Sequence, residues 1–154
     1  WRSEYPNWST INNMRIVDSI VSFSKSDEGI SVWSSAGGVQ IHNQKGEVLS
    51  KLTMRFPEKI SNVNYDEKLG WFISLEGSKF ATFEKIGDEP NIHSIPGPIY
   101  DVVVRGNKWI WTGWRHDGEK LNGNVRTVFR DQIGIAIIRD LVLTNDGEFD
   151  KIKV

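Results

Sequence analysis

The chain of 154 residues contains no cysteine. Without cysteine it can form no disulfide framework, and it offers no thiolate for catalysis or for holding a metal. This absence fits a reducing compartment and favours a cytoplasmic location, although export remains compatible with it.

Neither sign of charge is in excess, and no long apolar run is present. The chain contains nineteen Lys and Arg residues and twenty Asp and Glu residues, which gives a net charge of −1. A near-neutral chain predicts no general attraction to nucleic acid or to an anionic membrane. No apolar run approaches the ~18 residues of a membrane span, and no signal peptide is visible. Because the chain opens on Trp1 rather than Met, we expect a processed product or part of a longer protein.

Residue sets that would indicate catalysis are also missing. The three histidines, His42, His93 and His116, show no spacing with Asp or Glu that is typical of a metal site. No glycine-rich phosphate loop and no Gly-x-Ser-x-Gly nucleophile motif occurs. We therefore expect no enzyme activity, no cofactor and no metal.

Aromatic residues are well represented: they make up 11% of the chain and include seven Trp. This content argues against disorder, and the length predicts a single domain over 1–154. The stretch 29–54 sets the pattern, with apolar runs at Ile30–Trp33, Val39–Ile41 and Val48–Leu52 separated by glycine-containing turns. Short apolar runs between such turns predict an antiparallel meander.

The meander recurs along the chain. Gly29 and Gly70 stand 41 positions apart, and Gly70 and Asn107 stand 37 apart. We predict three cycles of strands at about 14–56, 57–97 and 98–154. The polar stretch 115–132, with an Asn-Gly pair at 122–123, interrupts the third cycle and is interpreted as an insertion, with an extended hairpin as one form of it. A cycle of about 40 residues with four strands is typical of a propeller blade.

The runs at Ile30–Trp33, 38–41 and 46–49, together with residues 101–111, resemble the β-propeller repeat superfamily with its WD40-like and YVTN-like blades. The Trp-Asp signature of WD40 proteins is absent. The resemblance implies an all-β fold of about three four-stranded antiparallel blades, a partial β-propeller. A β-sandwich or a barrel is the alternative.

Three blades do not close a ring, since propellers typically use four to eight. An open set of blades leaves sheet faces and edges uncovered. We therefore expect either a longer protein or closure by association with another chain, for example two copies related by a two-fold axis.

The most unusual stretch is the aromatic cluster at 109–115, which contains three Trp. Its large side chains fit packing between sheets, or an exposed platform for a ligand. We predict a binding site at this position, with residues 114–132 as the recognition element; its residues are Trp111, Trp114, Arg115, His116, Asp117 and Arg126.

These observations predict a non-enzymatic protein-interaction scaffold. Its partner would be a protein or a second copy of the chain. The alternative is a lectin-like module in which Trp111 and Trp114 hold a glycan, and a fragment of a propeller enzyme is the distant third.

Overall fold

The computed structural model describes residues 20–154. Within them the chain is all-β: fifteen strands form four antiparallel sheets, and no segment is helical. The described part accordingly has no helix long and apolar enough to cross a membrane. The start of the first predicted cycle, at residue 14, lies outside the described residues.

The first sheet is the meander predicted over 29–54, preceded by one more strand. Its strands are neighbours in chain order: β1 (Ile20–Ser26), β2 (Gly29–Ser34), β3 (Gly38–His42) and β4 (Val48–Thr53). Gly29 opens β2 with a φ of 124°, and a Cβ there would lie 2.6 Å from the carbonyl oxygen of His42. Glycine is thus required at this turn for both its backbone angle and its small size.

The second sheet repeats this plan over the second predicted cycle. Its strands are β5 (Ile60–Asp66), β6 (Gly70–Leu75), β7 (Lys79–Phe83) and β8 (Asn91–Ser94), again in chain order. Gly70 stands at the same place in β6 as Gly29 in β2, with a positive φ of 82°.

The third sheet differs in part from its prediction: the stretch 115–132 forms a hairpin, but this hairpin belongs to the sheet and is not an insertion. It consists of β9 (Ile99–Arg105), β10 (Lys108–Gly113), β11 (His116–Leu121) and β12 (Asn124–Phe129). The stretch 115–132, interpreted above as an insertion, supplies two of these strands in continuous register with β10. Its polar residues do not prevent strand pairing, because several of them bond to residues of β10: Asp117 to Thr112, and Glu119 to Lys108.

The fourth sheet holds the residues that the sequence assigned to the end of the third cycle. It contains β13 (Gly134–Ile138), β14 (Leu141–Thr144) and β15 (Phe149–Lys151). The described chain thus has four sheets where three cycles were expected. The first strands of the sheets start at 20, 60, 99 and 134, so the expected recurrence near forty residues holds.

The chain divides into two compact units. The first unit runs to Leu75 and resumes over Ala81–Ile92. In its core Trp33 and Trp71 lie with ring centroids 5.4 Å apart, and Phe83 stacks on Trp71 at 6.3 Å. Within this unit β1 lies beside β5, so the first strands of consecutive sheets are neighbours.

The second unit comprises Glu76–Phe80 and His93–Val154. Ile110 of β10 packs against Ile137 and Val142 of the fourth sheet in a small buried cluster. As in the first unit, the first strands of its two consecutive sheets, β9 and β13, are neighbours. Both units therefore stack sheets in the manner of propeller blades.

Candidate functional site

The six predicted site residues fall into separate places in the second unit. Trp111, His116 and Asp117 are buried, Trp114 and Arg115 form the exposed turn between β10 and β11, and Arg126 lies on β12. The structure joins the first two groups through hydrogen bonds and leaves Arg126 apart from them.

Trp111 is a packing residue. Its ring is fully buried, and its centroid lies 4.9 Å from that of Phe80. Gly118 stands opposite Trp111 in the register, and a Cβ on Gly118 would lie 2.2 Å from the indole. Trp111 therefore offers no face to a ligand, contrary to the role predicted for it.

His116 connects the buried Trp111 to the exposed turn. The indole Nε1–H of Trp111 donates to Nε2 of His116 over 3.1 Å, so Nδ1 carries the proton and donates to the carbonyl oxygen of Trp114 over 3.0 Å. Burial lowers the pKa of His116, although its bond to Trp114 and the charge of Asp117 oppose this. The neutral ring thereby anchors the carbonyl group of Trp114 from the buried side of the turn.

Asp117 holds a buried ion pair with Arg130. Both oxygens of Asp117 accept from the guanidinium, and Oδ1 also accepts from the hydroxyl of Thr112 at 2.7 Å. Arg130 further donates to Asp150 at 3.0 Å and to the carbonyl oxygen of Lys151 at 2.9 Å. Burial alone would lower the pKa of Arg130, but the two carboxylates raise it. The pair is structural: it fastens β15 to β11.

Sequence reasoning missed Arg130, which lies in the linker between β12 and β13. Its partners stand 13 to 21 positions away along the chain. No local motif signals such a contact. The one available hint is an arginine next to the end of a strand, which is too common to be informative.

The exposed turn consists of Trp114 and Arg115, and we call it the Trp114–Arg115 turn. The side chain of Trp114 is 41% exposed, and its backbone N–H donates to the carbonyl oxygen of Pro98 over 2.9 Å. Its ring rests on Gly97, where a Cβ would lie only 3.1 Å from the indole. The residue is thus seated on backbone with an outer surface open to solvent.

Arg115 completes the turn. Its guanidinium carbon lies 5.5 Å from the Trp114 ring centroid, within range of a cation–π interaction. Its φ of 57° is left-handed, and its carbonyl oxygen accepts from the backbone N–H of Arg130 over 3.0 Å. Backbone hydrogen bonds on both residues therefore anchor this turn to the segments around Pro98 and Arg130.

Arg126 belongs to a different surface. It pairs in register with Glu119, three positions along β11 from His116, which corresponds to about 10 Å. Its Nε lies 3.5 Å from Glu119, which also binds Lys108 at 3.1 Å. The structure does not bring Arg126 to the Trp114–Arg115 turn.

Metal binding finds no support among the described residues. Within residues 20–154 no group of three or more His, Asp or Glu side chains could hold a metal ion. The titratable groups nearest the turn, His116 and Asp117, are already bonded inside the protein. What the turn offers is an exposed aromatic face, a cation beside it and a fixed backbone.

Comparison with solved structures identifies the fold. The chain is similar to the computationally designed Ika4 protein, with a TM-score of 0.65 and 10% identity over 89% of this chain and 92% of that one. It is similar to streptogramin B lyase at a TM-score of 0.65 and 16% identity, over 90% of this chain and 56% of the lyase. It is also similar to the designed Ika8 protein, with a TM-score of 0.63 and 12% identity over 85% of this chain and 44% of that one.

These similarities show fold alone, because every identity is low. Neither a protein-family model nor a curated protein matches the sequence. The neighbours are propeller-like, and the four sheets have the form of propeller blades. The chain is an all-β protein with the antiparallel blades of a partial β-propeller.

Proposed function

We propose that the protein is a non-enzymatic protein-interaction scaffold that contacts its partner through the Trp114–Arg115 turn. The observation that carries the proposal is the exposed ring of Trp114 on a backbone anchored to Pro98 and His116. The partner is another chain or a second copy of this one, which adds to the partial propeller.

Physical chemistry supports this use of the turn. Trp and Arg are enriched among the few residues that carry most of the free energy of binding at protein interfaces. The backbone of Trp114 is anchored and its ring rests on Gly97, and a residue positioned before binding loses less conformational entropy when it binds. Arg115 adds a cation beside the ring, which would favour an acidic group next to an apolar one on the partner.

The glycan alternative has less support. It relied on Trp111 and Trp114 acting together, and Trp111 is buried. A single exposed Trp still allows stacking on a sugar ring, so glycan binding is retained as an outcome of the test. The enzyme alternative has a lyase among the fold neighbours, but at 16% identity that likeness extends to the fold alone.

The test compares capture by immobilised wild-type protein with capture by the variant Trp114→Ala. An extract from the source organism is applied, and bound proteins are quantified by mass spectrometry. Loss of an interface anchor typically costs at least 2 kcal/mol, which corresponds to about 30-fold weaker binding. We expect specific partners to be depleted by that order from the Trp114→Ala sample.

The matched control is Leu49→Ala, which truncates an apolar side chain that is 59% exposed on β4 of the first sheet. Its capture should equal that of the wild type. Equal capture by Trp114→Ala would contradict the proposal. A glycan-array signal that disappears in Trp114→Ala would replace it with the lectin-like alternative.

A further inference from the structure

His116 makes two hydrogen bonds inside the protein, and its two partners require different states of the two ring nitrogens. At Nδ1 the ring donates to the carbonyl oxygen of Trp114 in the Trp114–Arg115 turn, and at Nε2 it accepts from the indole N–H of Trp111. An indole nitrogen is a donor and never an acceptor, so Nε2 must be without a proton. The geometry therefore admits only the neutral form of His116, with its proton on Nδ1.

A second proton on the ring is incompatible with this arrangement. It would place an N–H at Nε2, 3.1 Å from the indole nitrogen of Trp111, so that two donors face each other. His116 is also 1% exposed, and a buried charge is strongly disfavoured unless it is paired. The protonated ring must therefore leave its place, and its bond to the carbonyl oxygen of Trp114 is lost with it.

The charged groups around His116 offset that charge only in part. The Asp117 carboxylate favours a proton on the ring, but its side chain lies on the opposite face of β11 and both of its oxygens accept from Arg130. Arg115, the preceding residue, is itself a cation. The register partners of His116 on the neighbouring strands carry no charge; they are Gly113 and Phe129.

We propose that His116 is a positioning residue whose protonation releases the Trp114–Arg115 turn and thereby weakens binding of the partner at mildly acidic pH. The effect on binding rests on the proposed function of the turn, whereas the release itself does not. A released turn regains conformational freedom, which binding must then remove at a cost in free energy. The exposed ring of Trp114 is consequently a weaker anchor when His116 is charged.

Burial determines the pH at which the turn is released. It lowers the pKa of His116 in the anchored turn, although the bond to Trp114 and the charge of Asp117 act against it. In the released turn the ring reaches water and has the ordinary histidine pKa of about 6.5. Because the released form binds the proton more tightly, its population rises as the pH falls below about 6.5, by at most about tenfold per pH unit.

His42 of the first unit shows, by contrast, a buried ring that tolerates protonation. Its Nδ1 lies 3.2 Å from a backbone carbonyl oxygen, and its Nε2 lies 3.1 Å from Oε1 of Gln40. Both partners are acceptors, so a doubly protonated ring satisfies them where it stands. His93 is the histidine nearest to the network of His116, since its ring stacks on Phe80 and Phe80 contacts Trp111. Variants of His42 and His93 therefore serve as controls.

Hydrogen exchange tests the release of the turn without any partner. The backbone N–H of Trp114 donates to the carbonyl oxygen of Pro98 in the anchored turn. Its protection, corrected for the intrinsic pH dependence of exchange, should fall by about three- to tenfold between pH 6.5 and 5.5. The backbone N–H of Ile152, which donates to Asp140 in the same unit, should keep its protection.

The variant His116→Gln separates protonation from packing. Glutamine carries a carbonyl oxygen that accepts and an amide group that donates, so it offers both kinds of bond without titrating. Protection of the Trp114 N–H in this variant should be independent of pH between 7.5 and 5.5. His116→Ala offers neither bond and should show low protection at every pH. His42→Gln and His93→Gln should retain the pH dependence of the wild type.

Nitrogen-15 NMR of the histidine rings over the same range reports the protonation state of His116 in the wild type, so the test does not depend on the folding of a variant. Constant protection of the Trp114 N–H while this ring gains its second proton would overturn the proposal. Equal loss of protection at Ile152 would also overturn it. The same holds for a ring that titrates only when circular dichroism shows the whole chain unfolding.

Capture experiments at pH 7.5 and 5.5 test the consequence for binding. Proteins whose capture depends on Trp114 at pH 7.5 should be captured several-fold less at pH 5.5, and this ratio should move towards one in His116→Gln. A turn that is released by acid but has no Trp114-dependent partner contradicts the proposed function alone. Trp114-dependent capture that acid does not weaken, although the turn is released, contradicts the regulation alone.

Discussion

Gly118 shows how one residue determines the position of a neighbouring Trp. A Cβ at this position would lie 2.2 Å from the buried indole of Trp111. Relieving such an overlap typically requires shifts that cost about 1–3 kcal/mol. We expect Gly118→Ala to lower the free energy of unfolding by this amount, as measured by urea denaturation followed by Trp fluorescence.

The matched control is Gly123→Ala, in the turn between β11 and β12. No atom lies within 4 Å of a Cβ built there. Its effect should stay within about 0.5 kcal/mol, as for most surface substitutions. Equal stability of the two variants would show that Trp111 is not confined by Gly118.

The histidines predict how stability depends on pH. Burial lowers the pKa of His116, His42 and His93 in the folded protein. Below about pH 6.5 the unfolded chain binds protons first. Its proton uptake therefore reduces the free energy of unfolding as the pH falls from about 6.5 towards the lower pKa values that the histidines have in the folded protein. Urea denaturation at pH 7.5, 6.5 and 5.5 should show this loss.

His116→Gln should reduce the pH dependence of the free energy of unfolding, because it removes one of the three histidines that cause it. The comparison between variants at each pH cancels the contribution of the other two histidines. A stability that stays constant between pH 6.5 and 5.5 in the wild type would contradict the prediction.

Residue roles at the site were only partly predictable. Strand alternation places Trp109 and Trp111 on one side of β10, and large side chains in this pattern fit packing between sheets. Both residues are buried. Choosing Trp114 over Trp111 as the exposed residue requires the position of the turn to within one residue. Sequence patterns rarely fix strand ends that closely.

At the scale of strands, the Asp117–Arg130 pair fastens β15 to β11. Removing one partner of a buried ion pair leaves the other charge unpaired, which typically costs 3–5 kcal/mol. We expect Arg130→Met or Asp117→Asn to destabilise the protein by roughly this amount in urea denaturation. The double variant should lose less than the sum of the two single effects, because neither charge is then left alone.

Arg126→Ala provides the comparison at the surface. Arg126 is 57% exposed and lies 3.5 Å from Glu119. Exposed pairs of this kind contribute at most about 1 kcal/mol. If Arg126→Ala and Arg130→Met lowered the free energy of unfolding equally, the buried ion pair would not be what holds β15 to β11.

The strands themselves were largely predictable where apolar residues alternate between glycine turns, as in 29–54. The stretch 116–129 was predicted only as an insertion or an extended hairpin, because its residues are polar and their partners lie on β10: Thr112 bonds Asp117, and Lys108 bonds Glu119. Such pairs become visible only when the register is known. A pattern of hydrophobicity contains no information about them.

For the whole molecule, the recurrence near forty residues was predictable and the number of sheets was not. Placing β11 and β12 in the third sheet releases residues 134–151 to form the fourth. One misassigned polar stretch therefore changed the count from three to four. The surface proposed to bind a partner, the Trp114–Arg115 turn, is likewise defined only by the assembled strands.

The open space around Gly123 has a practical consequence. The turn at Asn122–Gly123 joins two paired strands, and a Cβ on Gly123 would meet no atom within 4 Å. Exposed hairpin tips of this kind accept additional residues readily. A short peptide tag or a fluorophore attached there would allow the protein to be followed in cells, with the proposed binding turn at Trp114 and Arg115 left unmodified.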